Sequence, residues 1–361
     1  MYQNYKVVAN TAVGRRRYLK LLLPQVLASD IVDRYDLWVN TMDKVDIAFF
    51  QAMAEEFPKL NLIWQPKGEI NGIFSMADFY PFCQDEDTIY IKLDDDVVWF
   101  DPNFFEEICR FRIENPEYFL VSPLVINNGI STYILQNQGF LKFNQYFNCQ
   151  GYDLKFYNGY LAENLQRWFI ENYITANKYS QLYCGTHRIA MQRFAINAVA
   201  WFGKSFKKFE GRVIGDDEEF LTITYPAKHD LINCFDCNTI VSHFSFSVQR
   251  EYLDKTDLLK VYENILRKST NYKLVEILNK TSSILNSIEL NSNQIQLYPL
   301  PHNYRRVVNP TTKYERIKRI LEYFFGILKI PKAHRRQFVI QYLCLIRPNR
   351  EYFKPLQKMH E

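Results

Sequence analysis

Four short apolar runs, Lys6–Asn10, Tyr35–Asn40, Asn61–Trp64 and Thr88–Leu93, alternate with segments whose apolar residues recur at helical spacing. No other feature of the chain constrains its fold as much. A strand leading through a helix into the next strand makes a βαβ crossover, and repeated crossovers build a mainly parallel sheet with helices on its faces. The helical segments are Arg15–Leu27, with Leu19, Leu22, Leu23 and Val26 on one stripe, then Ile47–Phe57 and Ile73–Cys83. A glycine-containing turn is expected at Thr11–Gly14. The expected class is therefore α/β, Rossmann-like.

Beyond residue 100 the pattern becomes less regular. Asp101-Pro102-Asn103 opens a further helix, with Pro in its first turn and Phe104, Phe105 and Ile108 on one face. A strand at Phe119–Ser122, a helix near Asn164–Asn177, a buried helix at Arg193–Phe202 and a strand at Asn238–Ser247 are expected to follow. From Lys255 onward the spacing is helical, apart from a loop around Asn291–Pro310. This organisation predicts a catalytic domain over residues 1–254 and a helical, basic extension over 255–361.

The strand Thr88–Leu93 runs directly into Asp94, Asp95 and Asp96. Three adjacent acids repel one another, and a strand end inside a domain is a costly place for them. A divalent cation held by oxygen ligands is the usual compensation. In a doubly wound sheet, the carboxyl edge where these acids lie is also where ligands bind. A second acidic run, Gly215-Asp216-Asp217-Glu218-Glu219, opens an apolar helix through Phe220 and Leu221, and His243 follows within a strand.

With 47% hydrophobic and 16% aromatic residues among 361, the chain is not a disordered protein. Its net charge of +4 is unevenly spread: residues 301–361 carry 14 Lys/Arg against 4 Asp/Glu, so the remainder is acidic. Residues 313–328 form a basic amphipathic stretch, which fits either peripheral contact with an anionic membrane or packing on the body. Seven scattered cysteines point to a reducing compartment, and Cys234-Phe-Asp-Cys237 is a lone CxxC that reads as reduced core thiols in place of a zinc site. Met1–Lys6 lacks the design of a signal peptide, and the longest uncharged run is interrupted by polar residues. A cytoplasmic protein, soluble or peripheral on the inner face of a membrane, is expected.

The order strand-turn-helix, acid triplet, distal acid cluster and histidine resembles the GT-A glycosyltransferases over roughly residues 5–250. Asp94-x-Asp96 matches that family's DxD motif. The resemblance implies that Asp96, with Asp94, holds Mn²⁺ or Mg²⁺ bridging a nucleotide-diphosphate sugar, with a UDP-sugar favoured. His243 stands where several members carry a metal-ligating histidine. Asp217 falls on the position of the general base of inverting members, although Asp216 or Glu218 remains open for that role. A carboxylate at a helix N-terminus has a lowered proton affinity. Thr11 and Arg15 lie where relatives bind nucleobase, ribose and phosphate. Asn40 and Asp95 complete the nucleotide-binding candidates, with Lys92 a weaker one and Gly185-Thr186-His187 near the sugar region. The implied acceptor is a hydroxyl of a glycan or lipid-linked substrate.

Two other readings compete. Asp94-x-Asp96 after an apolar strand also fits a haloacid-dehalogenase-like phosphatase or phosphotransferase with Asp94 as nucleophile, though such a strand would stand nearer the start of the chain. A non-catalytic nucleotide-binding scaffold would keep the acids for metal alone. Nucleic acid is not an expected partner, because the basic tail carries no interleaved aromatic platform.

Overall fold

A run of β-branched and small residues such as KVVANTAV is best accommodated in a strand covered on both faces, and this one lies inside the protein's sheet with a strand paired on each side. A computed structural model describes residues 1–142 and 158–292, together with 295, 304–307, 320–321 and 323–324. The strands are β1 (Lys6–Val13), β2 (Arg34–Val39), β3 (Leu60–Trp64), β4 (Glu69–Ile70), β5 (Thr88–Leu93), β6 (Val97–Phe100), β7 (Tyr118–Ile126), β8 (Thr186–Ile189), β9 (Ala198–Phe202), β10 (Ile232–His243) and β11 (Arg305–Arg306). Among the described residues, one sheet has the order β3-β2-β1-β5-β9-β7-β10-β6, and β8 pairs along β10. Strands β1, β2, β3, β5, β7 and β10 run one way, while β9, β6 and β8 run against them. Helices cover the sheet, so the α/β class expected from the alternation is the one adopted.

Helix α1 (Arg16–Ala28) buries Leu19, Leu22, Leu23 and Val26. Its Gln25 stitches it to β6, donating from Nε2 to the Val98 carbonyl (3.0 Å) and accepting the Phe100 N–H (3.3 Å). Helix α2 (Lys44–Glu56) is capped by Asp43, whose side chain accepts from the backbone N–H groups of Val45 and Asp46.

Three local expectations need correction. The turn expected at Thr11–Gly14 begins later, because Thr11, Ala12 and Val13 continue β1 and pair with Leu37, Trp38 and Val39. The segment Ile73–Cys83 forms a 3₁₀ helix over Gly72–Phe82; Pro81 within it lacks the N–H that an α-helix would use. No helix forms at Arg193–Phe202. Ala198–Phe202 is strand β9, antiparallel to β5 from Leu93↔Ala198 to Ile89↔Phe202. Every residue of β9 is buried, so it lacks the period-two alternation that would have distinguished it from a buried helix.

The helices Leu258–Arg267 and Tyr272–Leu290 bury Leu258, Tyr262, Leu266, Leu274, Leu278 and Leu285 in the same hydrophobic cluster as β1 and α1. Ion pairs Lys20–Glu263 (2.8 Å) and Arg16–Glu289 (3.1 Å) flank that contact. Except for residues 320, 321, 323 and 324, the basic amphipathic stretch 313–328 lies outside the described residues. No helix among the described residues is long and apolar enough to cross a membrane.

Candidate active site

The chain turns sharply where β5 ends. The Val97 N–H donates to the Asp94 carbonyl (3.1 Å), so the acid triplet forms a tight turn between β5 and β6. The Asp94 N–H donates to the Asn197 carbonyl (2.8 Å), just before β9. The Phe244 N–H donates to the Asp96 carbonyl (2.8 Å), just after β10. The turn is therefore pinned by elements more than 100 residues downstream.

Each acid has its own cation. Lys92, buried within β5, donates to Asp94 Oδ1 (2.6 Å) and to the Ile196 carbonyl (3.1 Å), and Asn197 Nδ2 donates to Asp94 Oδ2 (3.0 Å). Arg15 forks onto Asp95, its Nε donating to Oδ2 (2.9 Å) and its Nη2 to Oδ1, while its Nη1 lies 3.1 Å from Asp96 Oδ2. Asp96 further contacts His243 Nε2 (3.1 Å) and Arg250 Nη2 (3.4 Å). Burial alone would raise the Asp96 carboxyl, but Arg15, His243 and Arg250 outweigh it and hold the group well below the usual range. The protein itself supplies part of the compensation for the triplet, through Arg15, Lys92 and Arg250.

A divalent cation nonetheless has suitable ligands. One atom from each of Asp94, Asp96 and His243 lies within 4.8 Å of the others. His243 Nδ1 is buried and has no hydrogen-bond partner among the described residues. Two carboxylates and an imidazole suit Mn²⁺ or Mg²⁺, with the imidazole tilting the preference toward Mn²⁺.

Asp217 joins this cluster from across the fold. It is buried at the start of the short helix Asp217–Glu219, for which Asp216 is the N-cap. The Tyr80 hydroxyl donates to Asp217 Oδ2 (2.8 Å), and Lys92 and Asp94 both act on its charge. Burial raises the Asp217 carboxyl, with Lys92 and Tyr80 only partly opposing it. This reverses the lowered affinity expected at a helix N-terminus, because loss of solvation on burial is the larger effect. Glu218 is pushed up to about 7 by burial against the pull of Arg193, and Arg193 bridges Asp216 (2.9 Å), Glu218 (3.2 Å) and Glu219 (3.3 Å). Lys92 thus stands between the two acid clusters.

The remaining candidates fall elsewhere. Thr11 is buried within β1, its hydroxyl 2.8 Å from the Tyr35 hydroxyl. Asn40 ties the end of β2 to the 3₁₀ helix Gly72–Phe82, donating to the Gly72 carbonyl (2.8 Å) and accepting from the Ser75 hydroxyl (2.7 Å). It lines an open cleft of about 790 Å³ with Thr41, Asn71 and Arg306. Gly185-Thr186-His187 leads into β8, on the flank of β10. Sequence reasoning missed Arg250, Asn197 and Tyr80, none of which belongs to a motif.

No protein-family model matches the sequence, and no curated protein matches it either. Among solved structures, the chain is similar to a CMP:2-keto-3-deoxy-manno-octonic acid synthetase complexed with CTP. The two share 9% identity, with a TM-score of 0.39, over 72% of this chain and 100% of that one. A likeness this loose carries no functional argument.

Proposed function

We propose that the protein is a metal-dependent glycosyltransferase of the GT-A type. It moves a sugar from a nucleotide-diphosphate sugar, a UDP-sugar for preference, to a hydroxyl of a glycan or lipid-linked acceptor. The observation that carries this reading is the convergence of Asp94, Asp96 and His243 at the carboxyl end of β5, with Asp217 beside Asp94 and Lys92. Asp94, Asp96 and His243 would hold Mn²⁺ or Mg²⁺, which when bound neutralises charge on the diphosphate leaving group. Arg15 lines the same site, where its fork on Asp95 and its contact with Asp96 place a positive charge beside the bound diphosphate. The raised carboxyl of Asp217 accepts the proton of the acceptor hydroxyl as the hydroxyl oxygen bonds to the anomeric carbon and the nucleotide diphosphate departs. Attack from the face opposite the leaving group inverts the anomeric configuration.

The test is calorimetric titration of UDP, GDP and dTDP, with and without Mn²⁺, into the wild type and Asp96→Asn. We expect one nucleotide to bind with Mn²⁺, and that binding to vanish without metal and in the variant. Absence of nucleotide binding under any metal would sink the proposal and direct the search to an aspartyl-phosphate on Asp94. A product that keeps the donor's anomeric configuration would remove the inverting part alone.

A further inference from the structure

We propose that Cys184, His187 and Cys237 form a second metal site, one for zinc, separate from the acidic cluster. The sequence presents Cys234 and Cys237 as a CxxC pair, but the fold divides them. Cys237 instead meets Cys184 and His187, and one ligand atom from each of the three lies within 4.8 Å of the others. In a tetrahedral zinc site with Zn–S of about 2.3 Å and Zn–N of about 2.1 Å, neighbouring ligand atoms stand roughly 3.5–3.8 Å apart. Closing the trio therefore takes ligand-atom shifts of about 1 Å at most.

The backbone around the trio is built to hold it. The Cys184 N–H donates to the Cys237 carbonyl (3.2 Å), and the Cys237 N–H donates to the Gly185 carbonyl (2.9 Å). Gly185 has φ +78°, a conformation that side chains disfavour, and this bend lies between Cys184 and His187. Its N–H donates to Asn238 Oδ1 (3.2 Å), and Asn238 is itself tied to Asp236 Oδ1 (2.9 Å). His187 Nε2 lies 3.2 Å from the Cys184 carbonyl. A proton donated there fixes the ring and leaves the lone pair of Nδ1 for a metal. Cys184 and His187 are half-buried, so water can reach the fourth position.

Ligand chemistry separates the two sites. Two thiolates and an imidazole select zinc, whereas the carboxylate-rich cluster at Asp94 and Asp96 suits Mn²⁺ or Mg²⁺. Cys237 precedes His243 by six residues on β10, with the irregularity between Asp236 and Ile240 lying between the two sites. The zinc would therefore fasten the turn at Cys184–His187, and β8 with it, onto β10. Binding would release the two thiol protons to solvent.

The test uses full-length protein under reducing conditions, titrated with Co²⁺ as an optical substitute for zinc. We expect a thiolate-to-cobalt charge-transfer band that saturates at one equivalent and is displaced by Zn²⁺. The band should persist in Asp96→Asn and be lost in Cys184→Ser and Cys237→Ser. Absence of the band in the folded wild type would overturn the proposal, and this readout does not depend on any variant folding. A band undiminished in both serine variants would overturn it too. So would a wild type whose Cys184 and Cys237 are found joined as a disulfide by mass spectrometry even after mild reduction.

Discussion

Replacing Lys92 with Met tests the electrostatic core of the site. The side chain is 1% exposed, and its ammonium lies 2.6 Å from Asp94 Oδ1 and 3.1 Å from the Ile196 carbonyl. Methionine retains the apolar stem and much of the volume but removes the charge and its donors. Breaking a buried ion pair by deleting one partner costs about 3–5 kcal/mol. The Asp94 side chain, however, is 26% exposed and keeps Asn197, so partial hydration brings the expected loss down to about 2–3 kcal/mol. For a chain of this size that corresponds to a fall in Tm of about 3–4 °C. Lys92 is also the cation that lowers the Asp217 carboxyl against burial. Without it the group protonates at higher pH, and the acid limb of the transfer rate against pH should move upward. Thermal unfolding followed by circular dichroism, with a pH–rate profile, reads both effects. A variant that melts with the wild type and keeps its acid limb would refute the assignment of Lys92 as the link between the two clusters.

Asp217→Asn should lower transfer by roughly 10²–10⁴-fold while leaving calorimetric nucleotide binding intact, as loss of a general base does; transfer at the wild-type rate would reassign the base. Glu218 gives a pH signature. Its folded pKa of about 7 is above its unfolded value, so between about pH 4.3 and 7 the folded state binds the extra proton and stability falls as pH rises. Glu218→Gln should flatten that decline in Tm, and an unchanged slope would count against it. In Gly203→Ala the new Cβ would meet the Asp85 carbonyl oxygen at 2.0 Å and the Tyr90 ring at 2.9 Å. The urea midpoint should drop by the equivalent of about 1–3 kcal/mol, or more if the backbone cannot give, and an unmoved midpoint would deny that contact.

Legibility from sequence followed the strength of local patterns. Strand β5 and the helices after β1 and β2 were readable because apolar period and flanking turns agreed. Strand β9 was not, because AVAWF is buried throughout and alanine-rich, which fits a buried helix equally well. The acids and His243 could be singled out, since three carboxylates after an apolar strand demand a physical explanation. Their pairing with counter-charges could not: Arg15, a candidate for the nucleotide, lies 80 residues from Asp95, and Arg250 lies 154 residues from Asp96. A side chain that meets its partner only through tertiary folding leaves no trace in local spacing. Cys184 and Cys237 illustrate the same limit, since CxxC directed attention to the wrong neighbour.

Strand β6 follows the acid turn directly, yet among the described residues its ladder partner is β10, whose pairing residues Val241–His243 emerge from the ribosome some 140 residues later. Helix α1 likewise waits for the helix Tyr272–Leu290 to cover it. During synthesis, then, the aspartates leave the ribosome long before Asn197, Phe244 and His243, which fix their turn from downstream. A nascent chain stopped short of β10 would lack both the ladder for β6 and the histidine beside Asp96. Contacts this distant in sequence slow folding and prolong the exposure of unpaired strands. Arrival of one late strand completes the sheet edge and the acid cluster together, so a partly made chain has neither.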